Sequence, residues 1–301
     1  MTGRSASGAG SRAGVAFACA CAVFSASAIL LGKTVLGELT PLQLVTCVYT
    51  CSAVYFLCHR LLWAGRGAPR ITLTLAAMRS SIWIGAFDLI YNVALFSALR
   101  TMTSPEHGFC SLLSEVVTIV MGIVFLRERY TIREGVWIVL IAGGIVIVQF
   151  QPVGLNGDGL AWIALAAFAA GSRSILAKRA LDARTPAEIA LVRTTIVACA
   201  LVLYSLVTGT WTTPSPRILG SVLAMALVGP FLNTLCFYHA LQRLRLGRVV
   251  MLRMGYVILI PIGAFAIHGQ GMSGRDLAGG AAILVGTILL VREKERLARG
   301  A

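Results

Sequence analysis

The sequence predicts an all-α integral membrane protein of ten transmembrane helices, built as two inverted five-helix repeats. Three observations predict it. Of 301 residues, 57% are hydrophobic and only 13% are charged, and mean hydropathy is +0.84. A soluble domain carries about 25% charged residues, so this chain cannot cover itself with polar surface, and its solvent is lipid. Ten apolar runs approach or exceed the roughly 20 residues needed to cross a bilayer. Landmarks of the first half then recur in the same order in the second.

The ten runs are 13–32, 42–62, 80–99, 106–126, 133–150, 159–179, 187–208, 217–241, 248–267 and 275–291. Residues 1–12 form a cytoplasmic tail, 13–152 the first repeat, 153–291 the second and 292–301 a basic cytoplasmic tail. The start has some features of a secretory signal: Arg4, Arg12, an apolar run and Ala26-Ser27-Ala28. Cleavage there would leave nine spans and destroy the repeat, so the run is read as the first span. The stretch Ala98 to Gly135 shows how a chain crosses and returns. Ala98-Leu99 end the third span, and Pro105 suits the first turn of the next helix, where its missing N–H is unpaired anyway. Apolar residues then run from Gly108 to Leu126, stop at Arg127, Glu128 and Arg129, and restart behind Thr131 as a cap. Gly154 to Gly159 is the midpoint.

The net charge of +14 would point to nucleic acid in a soluble protein. Here the basic residues sit in the gaps between apolar runs, as topology signals do. With the N-terminus inside, 19 of the 26 Lys and Arg fall in cytoplasmic segments and four in outer loops (Lys33, Arg100, Arg217, Arg275). Both termini are therefore expected in the cytoplasm. Lysine is confined to Lys33, Lys178 and Lys294 while arginine abounds, a codon-usage trait of GC-rich bacterial genomes, so the expected location is a bacterial inner membrane. All eight cysteines lie within apolar runs without a CxxC pair. They read as small buried hydrophobes, with no metal site and no cofactor expected.

The repeat rests on spacing. Lys33 precedes Thr40-Pro41 by seven residues, and Lys178 precedes Thr185-Pro186 by seven. Ala98-Leu99 end the third span as Ala240-Leu241 end the eighth, and Arg133-Glu134 open the fifth as Arg275-Asp276 open the tenth. Five is odd, so the halves lie in opposite orientations, an arrangement that lets a central site face each side in turn.

The passage PEHGFCSLLSEVVTIVMGIVFLRERYTIREGVWIVLIAGGIVIV, with Leu126, Glu128, Thr131 and Gly135, and the ending of the second half's first span, Ser174 to Leu181, followed by Thr185-Pro186, resemble the EamA-type branch of the drug/metabolite transporter superfamily. The second half departs from that pattern at His268-Gly269-Gln270-Gly271. The first half has Cys47-Val48-Tyr49 where the second keeps Arg193, and Glu106-His107 is atypical. The resemblance implies a central cavity lined by spans one to four and six to nine, with five and ten outside. The small-residue faces of spans five and ten (Gly143-Gly144; Ala278, Ala282, Gly286) suit close packing, within the chain or in a homodimer.

Charges inside a membrane cost at least about 2.5–3.5 kcal/mol at its centre and face a cavity or a partner. Five such residues are candidates: Asp88, Glu115, Arg173, Arg193 and Arg253. Glu115 and Arg253 pair with each other or contact substrate. Arg173 and Arg193 face the cavity or snorkel to the cytoplasmic surface. Asp88 is the leading proton or cation site, and Asp88 and Glu115 are the proton-coupling candidates. Tyr91, Asn92, Ser114, Asn233, Tyr238 and Tyr256 complete the substrate-binding set, either gripping a solute or bonding helices together. His107 is a gate residue or a solvated interfacial histidine, and Pro230 and Pro261 break the eighth and ninth spans. Gly-x-Ser-x-Gly, His-Glu-x-x-His and Walker motifs are all missing from the sequence. The function expected is a secondary transporter, an exporter of a small polar or zwitterionic metabolite, amino acid or drug, with a proton or other ion as coupling partner. Three embedded bases against two acids favour an anionic or zwitterionic solute over a lipophilic cation. The alternative is a membrane-embedded enzyme or a non-transporting membrane partner protein.

Overall fold

A computed structural model describes residues 8–63, 75–126, 131–151, 154–155, 157–269 and 273–299. The charged stop Arg127-Glu128-Arg129 and the pair Gln270-Gly271 lie outside the described residues. Among the described residues the regular structure is helical apart from one antiparallel pair of two-residue strands, β1 (Phe150–Gln151) and β2 (Gly154–Leu155), at the midpoint.

The first half contains α1 (Gly8–Val35), α2 (Pro41–Trp63), α3 (Leu75–Thr101), α4 (Ser104–Cys110), α5 (Leu112–Leu126) and α6 (Ile132–Gln149). The second contains α7 (Gly157–Ala180), α8 (Pro186–Val207), α9 (Pro216–Ala226), a π-helical turn (Leu227–Asn233), α10 (Thr234–Arg243), α11 (Leu246–Arg253), α12 (Tyr256–His268) and α13 (Gly274–Arg299). Among the described residues, eight helical stretches are long and apolar enough to cross a membrane. The expected fifth and tenth spans are also helices, α6 and α13. α6 has 18 residues, and α13 carries no charge from Leu277 to Val291 before the chain turns charged at Arg292.

Local sequence explains the repeated starts. Thr40 and Gln43 form a reciprocal capping box ahead of α2, with N–H to side-chain distances of 3.0 and 3.4 Å. At the matching place Thr185 Oγ1 accepts from the Glu188 N–H at 3.3 Å, ahead of α8. The Thr-Pro pairs are thus helix starts, with proline in the first turn. Thr103 and Glu106 make a third box ahead of α4, at 2.9 and 3.4 Å, which gives the atypical Glu106 a structural role.

The two lysines act alike as well. Lys33 Nζ donates to the carbonyls of Leu99, at 2.7 Å, and Met102. Lys178 Nζ donates to those of Leu241 and Leu244, the latter at 3.0 Å. Each lysine ties the end of its own helix to carbonyls left open at the end of a neighbouring helix.

The helix contacts have twofold character. α3 and α5 pack on α7, just as the eighth span (α9, the π turn and α10) and the ninth (α11, α12) pack on α1. α2 packs on α8 and α6 on α13, each with its own counterpart. The halves therefore interleave. α6 and α13 approach closely at Gly144 and Gly286. A Cβ at Gly144 would lie 2.8 Å from the Gly279 carbonyl oxygen, and one at Gly286 would lie 2.8 Å from Ile141 Cγ1. Outward positions such as Leu62, Val124, Val207, Ile262 and Phe265 are exposed, as lipid-facing positions must be.

The expected breaks need correction. The fourth span divides at Ser111, between α4 and α5, and the ninth at Met254-Gly255, between α11 and α12. Pro230 lies in the π turn, which absorbs its missing hydrogen bond as an extra residue per turn. Pro261, expected to break the ninth span, is carried inside continuous α12, and the discontinuity lies six residues before it. One proline removes only one ladder bond; here the rest of the helix holds.

Candidate functional site

Interleaving brings the embedded charges together. Asp88, midway along α3, is completely buried. Its Oδ1 accepts from Arg173 Nη1 on α7, its Oδ2 accepts from the Tyr49 hydroxyl on α2, and Arg193 Nη1 on α8 lies 3.0 Å from Oδ2. Asn92, one turn along α3, donates from Nδ2 to Tyr49 Oη at 2.9 Å and to the Asp88 carbonyl at 2.7 Å. Arg193 is held further by Thr234 Oγ1, 3.0 Å from Nη2, and by the Tyr238 hydroxyl, 3.4 Å from Nη1. The Arg173 guanidinium stacks 3.8 Å above the Tyr91 ring.

A second group forms at the two helix breaks. Arg253 ends α11 and pairs with Glu115 in the first turn of α5. The placement suits both charges, since a helix C-terminus favours a cation and an N-terminus an anion. The guanidinium also lies 5.0 Å from the Phe237 ring centroid. The Ser111 and Tyr256 hydroxyls, one from each break, are 3.1 Å apart. Asn233, the last residue of the π turn, accepts at Oδ1 from Cys21 Sγ at 2.6 Å and Ser25 Oγ at 3.4 Å.

Between these groups lies a cavity of about 630 Å³, its open mouth included, lined from α1, α2, α3, α7, the eighth span and Arg253. A smaller cavity adjoins it and shares Arg173, Asn233, Thr234 and Arg253 as a common wall. Of the ten residues singled out from sequence, Asp88, Tyr91, Asn92, Arg193, Asn233, Tyr238 and Arg253 line one cavity or both. Ser114, Glu115 and Tyr256 are buried behind Arg253 and are absent from both linings.

The structure places the residues for which the sequence left alternatives open. Glu115 and Arg253 pair with each other. Arg173 and Arg193 turn inward to Asp88 instead of snorkelling, because one carboxylate has an oxygen for each. Asp88 meets two guanidinium groups, so the described residues already occupy the cation position expected there. His107 is fully buried, with Nε2 3.1 Å from the Leu95 carbonyl oxygen, and is not a solvated interfacial residue. His268, which replaces the family glutamate, lies with Nε2 3.2 Å from the Leu30 carbonyl oxygen, ahead of a left-handed Gly269 at φ +62° that ends α12.

Tyr49 and Thr234 were not singled out as site residues. A tyrosine in an apolar span reads as packing; only an acid opposite it reveals the hydroxyl as a donor. Among the described residues no His/Cys/Asp/Glu cluster could hold a metal ion, and the arginine-rich constellation suits anions better than cations.

The EamA-like transporter family model matches residues 12–150 and again 158–292. An Archaeoglobus fulgidus protein called an uncharacterized transporter is 21% identical over 214 residues, which cover 70% of this chain and 76% of that protein. A solved crystal structure, 17% identical, superposes with a TM-score of 0.73 over 94% of this chain and 97% of its own; at that identity the likeness speaks to fold. Two successive matches of one family model span nearly the whole helical bundle, and the buried polar cavity lies where the two matched segments meet: the chain is a multi-pass membrane transporter and belongs to the EamA-like transporter family.

Proposed function

We propose that the chain is a secondary transporter that exports a small polar or zwitterionic metabolite, amino acid or drug by alternating access. The observation that carries this is the buried charged cavity between half-helix ends of the two interleaved repeats. Five ionisable side chains at membrane depth are costly. A scaffold that needed only packing would be better served by apolar residues, which often replace buried ion pairs without loss of stability. Broken helices meeting at the centre of inverted repeats are the usual setting of a transport site. The twofold contact pattern supports the motion: α1 packs on the second half as α7 packs on the first, so an exchange of the two arrangements would move the opening from one face to the other.

In this reading both termini lie in the cytoplasm, following the distribution of Lys and Arg, and Asp88 and Glu115 carry any coupled proton. A ligand that draws an arginine away from either carboxylate leaves that carboxylate able to take up a proton, which links binding to proton movement.

The test is release from vesicles. Purified protein is reconstituted into liposomes loaded with a defined mixture of amino acids, organic acids and nucleosides, and the external solution is analysed by mass spectrometry. The expected result is saturable release of a narrow set of solutes, with a dependence on the pH difference that flattens in Asp88→Asn and Glu115→Gln. Release equal to that from empty liposomes would overturn the transport reading, and an unchanged pH profile in both variants would remove the proton role.

A further inference from the structure

Charge and shape in the main cavity narrow the solute further, on the reading that this cavity is the transport site. The five ionisable residues of the two linked groups carry three positive and two negative charges. Both oxygens of Asp88 are engaged, by Arg173 on one side and by Tyr49 and Arg193 on the other. Glu115 is engaged by Arg253 through Oε1, while its Oε2 is buried without a partner. One guanidinium charge is therefore left without a counter-charge at membrane depth. The donors are also in surplus: Nε of Arg173, Arg193 and Arg253 are buried and have no hydrogen-bond partner. Stacking on Tyr91 and on Phe237 fixes the planes of Arg173 and Arg253, and both residues line both cavities. Rigid guanidinium edges with spare N–H groups recognise a carboxylate.

The rest of the main cavity differs in character. Its wall beyond the charges includes Leu44 and Val45 on α2 and Leu95 and Phe96 on α3. Phe96 is eight residues past Asp88, about 12 Å along a helix axis. On α2, which runs the other way, Leu44 is five residues before Tyr49, so both apolar stretches extend toward the same end of the bundle. The cavity thus has a cationic floor and an apolar shaft.

We propose that the site takes a singly charged organic carboxylate with an apolar body, its carboxylate on the guanidinium edges of Arg173 and Arg253 and its body along Leu44, Leu95 and Phe96. Such a solute neutralises the surplus charge. A zwitterion brings an ammonium as well, but both oxygens of Asp88 are already bonded, and Glu115, whose Oε2 is the open acceptor, lies outside both cavity linings. A cation adds charge of the sign already in excess.

A matched series tests this on the full-length protein in detergent: 3-phenylpropanoate, phenylalanine, 3-phenylpropanamide and 3-phenylpropylammonium share one body and differ in charge. Binding is read as the concentration that raises the melting temperature. The carboxylate is expected to bind about tenfold more tightly than the amide, the usual advantage of a charged hydrogen-bond partner, with phenylalanine between them and the ammonium compound weakest. Arg173→Gln is expected to remove the preference for carboxylate over amide while leaving amide binding in place, and Arg173→Lys to keep part of it. Should a variant not fold, the wild-type order alone decides. An amide or ammonium compound binding as tightly as the carboxylate, tighter binding of phenylalanine, or binding of none of the four would overturn the inference. Release of loaded metabolites from vesicles is a separate result, so transport can stand where this solute class falls.

Discussion

Asp88 has five neighbours that matter: Arg173, Arg193, Tyr49, its own turn-mate Asn92 and, through Arg193, Thr234. Its place as an embedded acid was legible in the sequence, because an uncompensated charge in a 24-residue apolar helix demands a reason. Its partners were not, since Arg173 is 85 residues away and Tyr49 looks like any aromatic in a span. The Glu115–Arg253 pair was legible as one of two alternatives, and the meeting of the two helix breaks is what brings the pair together. Removing one member of a buried pair leaves an unpaired charge and costs about 3–5 kcal/mol, whereas removing both can cost little. Arg253→Met alone is therefore expected to lower the melting temperature of the detergent-solubilised protein substantially, and Glu115→Gln with Arg253→Met to recover most of the loss. A double variant no better than the single one would show that the pair is not the main role of Glu115.

At the scale of elements, sequence marked the starts of helices better than their interruptions. Thr40-Pro41 and Thr185-Pro186 were visible as repeated signals because capping chemistry is local. The breaks at Ser111 and Met254-Gly255 carry no proline and so gave no local sign, while Pro261 gave a sign that the surrounding helix overrides. Lys33 and Lys178 were visible as spacing, but their bonds to the ends of α3 and α10 depend on tertiary contact. The small-residue faces of α6 and α13 were legible as packing surfaces, and Gly144 and Gly286, but not Gly143, sit at the contact of the two helices within the chain. Gly286→Leu should place side-chain atoms where Ile141 and the Trp137 carbonyl lie, costing about 1–3 kcal/mol for overpacking. Gly143→Leu, where nothing lies within 4 Å of a Cβ, should leave the melting temperature nearly unchanged. Equal behaviour of the two variants would contradict the α6–α13 contact.

The whole molecule was the most legible level. Composition required a lipid solvent, the ten apolar runs anticipated a helical bundle, and matched offsets anticipated two related halves. What lay beyond a one-dimensional reading is the interleaving: α1 and α7 each serve the opposite half. It is this exchange that puts charges from α3, α7, α8 and α11 around two adjoining cavities. In the proposed mechanism, a central site between these two halves reaches one face at a time. Counterflow tests that claim most directly. Vesicles holding the reconstituted protein are preloaded with an unlabelled solute identified by release, and uptake of the same labelled solute is followed. An alternating site predicts uptake that saturates and that rises transiently above equilibrium when the interior is preloaded. Uptake that rises linearly with concentration and ignores the solute inside would contradict it.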